Sequence, residues 1–186
     1  MLTIRNLEKD YGGFPVLERV TLDIKDGCFC GIVGPSGCGK STFLRILLGQ
    51  EAPSRGELLL DGVPLPNEPS TERGIVFQRY SAQALMKRPR VLLLDEPFGA
   101  LDPGVRLEMH DLLLELWREH GMTIFMVTHD ISEAFKLSTR VLTFDKVRSD
   151  PQFPDAYGAT VTYDLSVDGT AFPDNIVKDD PNAELG

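Results

Sequence analysis

The sequence contains few cysteines, few histidines and no long apolar run. It has three cysteines and three histidines in 186 residues, and no stretch approaches the ~20 apolar residues of a membrane-spanning helix. Residues 1–5 lack the basic-then-apolar pattern of a signal peptide. Cys28, Cys30 and Cys38 have no histidine pair nearby, so we interpret them as small buried residues rather than zinc ligands or a disulfide framework. A reducing cytoplasm is therefore expected.

The chain also lacks the positive charge of a general nucleic-acid-binding protein. It carries 19 Lys and Arg residues against 28 Asp and Glu residues, a formal net charge of −9. Sequence-independent binding of nucleic acid depends on neutralising phosphates, so no nucleic-acid partner is expected. A length of 186 residues suits one domain with a sizeable core.

A glycine-rich stretch with the pattern G-x-x-x-x-G-K-S organises the chain. It consists of Gly34, Pro35, Ser36, Gly37, Cys38, Gly39, Lys40, Ser41 and Thr42. An apolar run at residues 28–33 precedes it and predicts a buried strand, and residues 41–50 predict a helix. A strand, a glycine loop and a helix form the context in which this pattern binds a polyphosphate, which favours that function over a chance glycine turn.

The residue types of this stretch match the chemistry of phosphate binding. The three glycines allow a tight path and a close approach of the main chain. The helix that starts near Lys40 offers unpaired N–H groups and its positive end. Lys40 adds a compact charge for the β and γ phosphates. The Ser41 hydroxyl suits Mg²⁺, and Thr42 can reach the α-phosphate side.

The N-terminal region predicts a small, mostly antiparallel sheet. Residues 2–7 and 20–24 alternate apolar and polar side chains, as half-buried strands do. A turn cluster at residues 11–15 separates them. Tyr11 in this turn is either an ordinary surface tyrosine or a stacking platform for a base.

A pair of acids ends a second apolar run. Residues 91–94 are apolar, and Asp95 and Glu96 follow. The carboxyl ends of parallel strands form the ligand-binding edge of open α/β sheets. Asp95 there would hold Mg²⁺, and Glu96 could orient or deprotonate an attacking water. The alternative is an ordinary strand end with solvated acids.

The remaining segments complete an α/β pattern. Asp102 followed by Pro103 predicts the start of a helix with apolar residues at helical spacing, and Gly121 ends it. His129 follows a buried strand at residues 122–127, where it could hydrogen bond to a γ-phosphate. We expect His110 and His120 to lie on the exposed side or at the end of their helix, without a role, and Trp117 to pack. A short helix at 131–137 and a core strand at 141–144 follow.

The pattern weakens after residue 146. Residues 157–167 alternate weakly and predict a hairpin, and the acidic residues 173–186 predict disorder. We expect a P-loop NTPase core of the α/β class. Its mainly parallel sheet is flanked by helices, and a small N-terminal antiparallel β subdomain is added.

The order of these motifs resembles the ATP-binding-cassette (ABC) family of transport ATPases over residues 1–146. Residues 34–42 resemble its Walker A motif, and residues 92–97 resemble Walker B with its catalytic glutamate, Glu96. Tyr11 resembles the adenine-stacking aromatic residue and His129 the switch histidine. The resemblance implies that Gln78 is the glutamine that contacts Mg²⁺ and the membrane partner. It also places Asp102 in the D-loop. The loop and acidic motifs look like those of the importer branch for nitrate, sulfonate and taurine.

One departure from the family pattern lies between Gln78 and Val91. The family carries a helical subdomain of several dozen residues there, which ends with the signature Leu-Ser-Gly-Gly-Gln. This sequence has a short link and no such signature. It resembles a deletion near residues 81–82, which leaves residues 1–146 as a truncated nucleotide-binding domain. Residues 147–186 would form a partly disordered C-terminal extension.

The resemblance implies ATP and Mg²⁺ as cofactors and an ATPase that drives solute import. Its partners would be transmembrane permease subunits, a second nucleotide-binding subunit and, indirectly, a periplasmic solute-binding protein. The chain would lie in the cytoplasm, on the inner face of the plasma membrane. Because each ATP in the family lies between Walker A of one subunit and the signature of the other, this chain would supply half a site. Two alternatives are an ATP-binding module that does not hydrolyse ATP, and a DNA-repair ATPase of the same family, which would need long coiled-coil insertions.

Overall fold

The fold is described from a computed structural model that covers residues 1–66, 68–70, 73–77, 89–148, 152 and 156–167. Ten strands and three helices lie in these ranges. The strands are β1 Leu2–Tyr11, β2 Phe14–Ile24, β3 Phe29–Val33, β4 Arg55–Leu60, β5 Val63–Pro64, β6 Arg73–Phe77, β7 Val91–Asp95, β8 Thr123–Val127, β9 Arg140–Asp145 and β10 Thr160–Ser166. The helices are α1 Lys40–Leu48, α2 Pro103–His120 and α3 Ile131–Leu137.

The larger sheet has six strands in the order β10-β9-β3-β8-β7-β6. The strands from β9 to β6 run parallel to their neighbours, and only β10 pairs antiparallel. Every residue of β3 and β8 is buried, which explains their continuous apolar sequences, because a strand covered on both faces has no polar face. The sheet brings the ends of β3, β8 and β7 next to one another.

The smaller sheet is antiparallel and has the order β2-β1-β4-β5. Strands β1 and β2 are joined by a tight turn at Gly12 and Gly13, whose positive φ angles of 62° and 90° suit glycine. The largest apolar cluster joins residues of both sheets with α1, which is buried along most of its length. The α/β class and the additional N-terminal antiparallel sheet are thus confirmed.

The helix ends follow local sequence signals. Helix α1 ends where Gly49 takes a left-handed conformation, and its N–H group bonds to the carbonyls of Arg45 and Ile46. Helix α2 has Asp102 at its N-cap position and Pro103 in its first turn, and it ends at Gly121 with φ 60°. The Asp102 side chain makes no capping hydrogen bond. No helix in the described ranges is both long and apolar enough to cross a membrane.

Helix α2 corrects one interpretation of its histidines. His110 is only 4% exposed and lies on the buried face with Leu113, whereas the sequence suggested an exposed side chain without a role. Val105 and Leu112 are 45% and 42% exposed, although their helical spacing suggested a buried stripe. His110 is buried against a polar partner, Glu133 in α3, which the apolar pattern alone does not reveal. Trp117 packs edge-on against Phe29, as expected.

Two further interpretations change. Residues 160–166 form one strand, β10, whose partner is β9, so the hairpin is between these two strands and does not lie within residues 157–167. The division expected at residue 146 stays a prediction, and this residue lies in the connection between β9 and β10. Cys28 is partly exposed, while Cys30 and Cys38 are buried as expected. Gln78, the residues around 81–82 and the tail at 173–186 lie outside the described residues.

Candidate nucleotide site

The phosphate loop, residues 34–42, connects β3 to α1. Gly34, Gly37 and Gly39 have φ angles of 147°, 77° and 95°, in the region that side-chain-bearing residues rarely adopt. A Cβ atom on Gly34 would lie 2.1 Å from the carbonyl oxygen of Phe144, so this position needs glycine for close packing as well. Pro35 and Ser36 are exposed and leave the outer side of the loop accessible.

The start of α1 and the Lys40 side chain supply positive charge to this loop. Gly39 is the N-cap and provides no side-chain acceptor, so the first N–H groups of α1 remain available to an anion. The Lys40 ammonium donates hydrogen bonds to the carbonyl oxygens of Gly34 and Pro35, both at 2.7 Å, and lies 3.7 Å from the Cys38 sulfur. Lys40 is 9% exposed. The ammonium is therefore held inside the curve of the loop.

The two acids lie at the end of β7. Asp95 pairs with Val127 of β8 on one side and with Phe77 of β6 on the other. Glu96 has φ 47°, an unusual conformation for a residue with a side chain, and its N–H group donates to the Val127 carbonyl at 2.9 Å. Such strained backbone often occurs at functional positions. The turn brings Glu96 Oε1 to 3.8 Å from His129 Nδ1.

Strand register places these groups at the same edge of the sheet as the phosphate loop. Ile32 of β3 pairs with Val127 of β8, which in turn pairs with Asp95 of β7. The Thr128 N–H group donates to the Ile32 carbonyl at 3.1 Å, so the segment leading to His129 runs beside the end of β3. The loop, the imidazole and the two carboxylates thus follow three adjacent parallel strands, at the edge where such sheets bind ligands.

Tyr11 lies close to this edge and has several polar partners. It is 43% exposed, and its hydroxyl lies near the side chains of Glu51 and Thr42. Partial burial raises the pKa of Tyr11, and the neighbouring Glu51 adds to this effect. The Lys9 ammonium lies 4.9 Å from the centre of the Tyr11 ring and 3.2 Å from the Glu51 carboxylate. An aromatic ring with exposed surface therefore stands beside the phosphate loop, fixed by Lys9 and Glu51.

The other expected site residues are placed as follows. Ser41 and Thr42 lie in the first turn of α1 and are partly buried. Asp102 is exposed at the start of α2, on the segment that follows Glu96. Strand β6 ends at Phe77, opposite Asp95, and Gln78 is the next residue in the chain.

Sequence reasoning missed a buried polar network behind His129. His110 Nε2 lies 2.9 Å from Glu133 Oε1, and the Thr128 hydroxyl donates to Glu133 Oε2 at 2.6 Å. The N–H group of Glu133 donates to the side chain of Asp130, the N-cap of α3. The spacing Asp130 to Glu133, three residues, is a helix-start signal that could have drawn attention to Glu133. This network fixes the segment that carries His129 against α2 and α3.

The donor atoms at this edge fit Mg²⁺. Among the described residues, no three His, Cys, Asp or Glu side chains come together as a metal cage. Mg²⁺ in phosphate sites usually binds through one or two protein oxygens, phosphate oxygens and water. The Ser41 hydroxyl and the Asp95 carboxylate supply oxygens of this type.

Comparison with known proteins finds one matching family and several similar sequences, whose descriptions agree with one another. Residues 17–82 match the family described as "ABC transporter". The aliphatic sulfonates import ATP-binding protein SsuB of Yersinia pestis is 37% identical over 199 positions, which cover 79% of this chain and 73% of the relative. SsuB of Pseudomonas fluorescens is 36% identical over 196 positions, covering 77% and 73%.

Solved structures show the same fold. The ATP-binding cassette MJ0796 bound to ADP and Pi superposes with a TM-score of 0.70 at 22% identity and covers 92% of this chain and 100% of its own. The protein cbiO1 from Clostridium perfringens, part of the complex cbiONQ, has a TM-score of 0.72 at 22% identity and covers 89% and 88%.

Proposed function

The chain belongs to the ABC transporter family, and on that premise we propose that it binds ATP with Mg²⁺ and couples ATP hydrolysis to solute import. The proposal rests on one observation: the phosphate loop, Asp95, Glu96 and His129 lie together at the carboxyl ends of three adjacent strands. Relatives named as sulfonate importers at 36–37% identity favour a small sulfonate or a related anion as the solute.

Each group has a distinct task in the proposed reaction. The N–H groups of the loop and of the start of α1 bind the phosphates, and Lys40 balances the charge of the β and γ phosphates. Tyr11 stacks on the adenine. Ser41 and Asp95, with Gln78, would hold Mg²⁺, which would neutralise charge on the phosphate oxygens.

The groups at the strand ends would act on the water and on the γ-phosphate. Glu96 orients the attacking water and accepts its proton. His129, 3.8 Å from Glu96, would donate a hydrogen bond to the γ-phosphate. Asp102 on the segment after Glu96 would face the second subunit.

A second nucleotide-binding subunit would complete the site. The sequence contains no Leu-Ser-Gly-Gly-Gln, and the family match ends at residue 82. The share of this chain aligned with Yersinia pestis SsuB, 79% of 186 residues, is about 147 residues, whereas the alignment runs over 199 positions. About 50 positions are therefore occupied only by the relative. This supports a deletion near residues 81–82 and a missing signature, whose donors would otherwise stabilise the transferring phosphoryl group.

The proposed assembly places the chain beside a membrane. Permease subunits would bind it at the inner face of the plasma membrane, and a solute-binding protein would deliver the solute from the other side. Residues 1–146 form the proposed nucleotide-binding part. Residues 147–186 form an extension whose strand β10 adds to the sheet.

A specific observation favours one alternative, an ATP-binding module that does not hydrolyse ATP. The absence of the signature from the sequence removes γ-phosphate donors that each active site needs from the opposite subunit. A pair of two such chains would bind ATP and leave it intact. A mixed pair with an intact relative would have one complete site, because the relative supplies the signature that faces this chain's phosphate loop.

Two measurements on the purified chain distinguish these functions. The first is a titration with a fluorescent ATP analogue in the presence of Mg²⁺, and the second is phosphate release by the chain alone and mixed with a full-length SsuB. Binding together with release that rises in the mixture, above that of SsuB alone, supports the ATPase. Binding without added release supports the non-hydrolysing module, and no binding contradicts both.

A further inference from the structure

A pair of thiols lies at the opposite end of β3 from the phosphate loop. Cys28 directly precedes β3 and Cys30 lies within it, and their sulfur atoms are 3.4 Å apart. Cys28 follows a turn in which its N–H group donates to the Lys25 carbonyl, and its own carbonyl accepts from the Ile124 N–H group of β8. Two residues apart in an extended chain, the side chains point to the same side. The two sulfur atoms are therefore in contact without any change of fold.

The two thiols differ in access to solvent. Cys30 is completely buried, whereas Cys28 is partly exposed. Cys28 lines an open groove of about 560 Å³ between the start of β3 and strands β9 and β10. The charged groups that face this groove are Asp23, Lys25, Asp26, Arg140 and Asp164. A small reagent can therefore reach Cys28 first.

Hydrogen bonding makes Cys28 the more acidic thiol of the pair. Its contacts with Cys30 and with the Thr139 hydroxyl, 3.5 Å away, lower the pKa of Cys28 to about 6. The positive charge of Arg140 acts in the same direction, although its bidentate pairing with Asp164 weakens the effect. The bond to Cys28 and burial raise the pKa of Cys30 well above its ordinary value. The contact between the two sulfur atoms thus favours the thiolate at Cys28 and the proton at Cys30.

We propose that Cys28 and Cys30 form a redox-active dithiol, in which a hydroperoxide oxidises Cys28 and Cys30 then closes an intramolecular disulfide. Reactive cysteines of this kind combine thiolate character, solvent access and a neighbouring resolving thiol. The pair has all three features, with Cys28 in the groove and Cys30 buried beside it. The site is remote from the phosphate loop and does not depend on the proposed transport function.

The reaction balances in two steps. The Cys28 thiolate attacks the outer oxygen of the hydroperoxide, the O–O bond breaks, and the alkoxide or hydroxide that leaves takes a proton from water. Cys28 is then a sulfenic acid. The Cys30 sulfur attacks the Cys28 sulfur, the S–O bond breaks, and the oxygen leaves as water with the Cys30 proton. The two thiols together lose two electrons to the hydroperoxide, which is reduced to an alcohol or to water.

The experiment uses the full chain, reduced and then treated with hydrogen peroxide. We expect intact-mass spectrometry to show the loss of two hydrogen atoms, and peptide mapping to place the bond between Cys28 and Cys30. Cys38, which is buried in the phosphate loop, serves as an internal control and should remain a free thiol. In the Cys30→Ala variant the disulfide cannot form, and a sulfenic acid at Cys28 should be trapped by dimedone. In Cys28→Ala neither product should appear.

Alkylation by iodoacetamide tests the charge assignment separately. The Cys28 reaction should have a pH midpoint near 6, and Cys30→Ala should move that midpoint upward by removing a donor. Oxidation of Cys38 at the rate of Cys28, a sulfenic acid in the unmodified chain that never converts to a disulfide, or a disulfide between two chains would each overturn the proposal. So would a complete lack of reaction.

Discussion

At the scale of single residues, the proposed site residues are positioned by neighbours that have no proposed part in the reaction. Glu96 reaches His129 because its backbone adopts φ 47° and bonds to Val127. We predict that Glu96→Gln retains ATP binding, because the loop, the start of α1 and Lys40 bind the phosphates. It should lower the phosphate release that this chain adds to full-length SsuB by about 100-fold or more, the usual loss on removing a general base.

The Glu96 prediction is measured on the release above that of SsuB alone. Glu108→Gln, an exposed glutamate on α2, is the matched control and should release phosphate like the unmodified chain. Equal added release by Glu96→Gln and Glu108→Gln would exclude Glu96 as the base.

Lys9 is a second residue whose effect should pass through a neighbour. Its ammonium is held by Glu51 and by the Ala52 carbonyl at 2.9 Å, and it covers one face of the Tyr11 ring. Cation–π pairs at partly exposed sites contribute about 0.5–1 kcal/mol. Lys9→Met should therefore weaken ATP binding about two- to fivefold and leave inorganic tripolyphosphate binding unchanged.

A double-mutant cycle tests whether Lys9 affects ATP affinity through the Tyr11 ring. In a Tyr11→Ala background, Lys9→Met should have no further effect on ATP affinity, because the ring through which it acts is absent. Lys25→Met, at an exposed position, is the control for loss of a positive charge. If Lys9→Met weakens the binding of tripolyphosphate as much as the binding of ATP, Lys9 acts through its charge on the phosphates and not through the Tyr11 ring.

At the scale of elements, α2 and α3 are joined through a buried hydrogen bond between His110 and Glu133. His110 and Glu133 are 5% and 6% exposed at their side chains, and Thr128 shares the same carboxylate. Removal of one partner leaves a buried polar group without its hydrogen bond, which costs about 1–3 kcal/mol. We predict that Glu133→Ala lowers the free energy of unfolding by about this amount, as measured by urea denaturation. Glu119→Ala, exposed on α2, should change it by less than about 0.5 kcal/mol.

The sequence predicted those elements whose ends carry local signals. Asp102 with Pro103 begins α2, and Gly121 ends it with positive φ. Helix α1 was expected to run to residue 50, but it ends at Leu48, before Gly49. The apolar runs of β3 and β8 were recognisable because both faces of these strands are buried. Local pattern could not reveal the pairing of His110 with Glu133 or of β10 with β9, because each depends on a residue distant in sequence.

At the scale of the whole molecule, the six-stranded sheet explains how distant motifs meet. The phosphate loop, Asp95 and His129 are separated by tens of residues in the chain, yet β3, β7 and β8 are parallel and adjacent. In the sequence, each motif directly follows a predicted strand. Because parallel sheets bind ligands at the carboxyl ends of their strands, all three motifs were expected at the same edge of the sheet. Residue order does not give the register or the strained turn at Glu96, because both are set by contacts across the sheet.

Calorimetric titration of the purified chain with ATP in the presence of Mg²⁺ tests the central claim most directly. The arrangement of the loop and the acids predicts saturable binding with one ATP per chain. Lys40→Ala should reduce this binding strongly, and Lys25→Ala should not. Absence of binding heat at several temperatures, or equal binding by Lys40→Ala and the unmodified chain, would contradict the claim that this edge of the sheet holds a triphosphate.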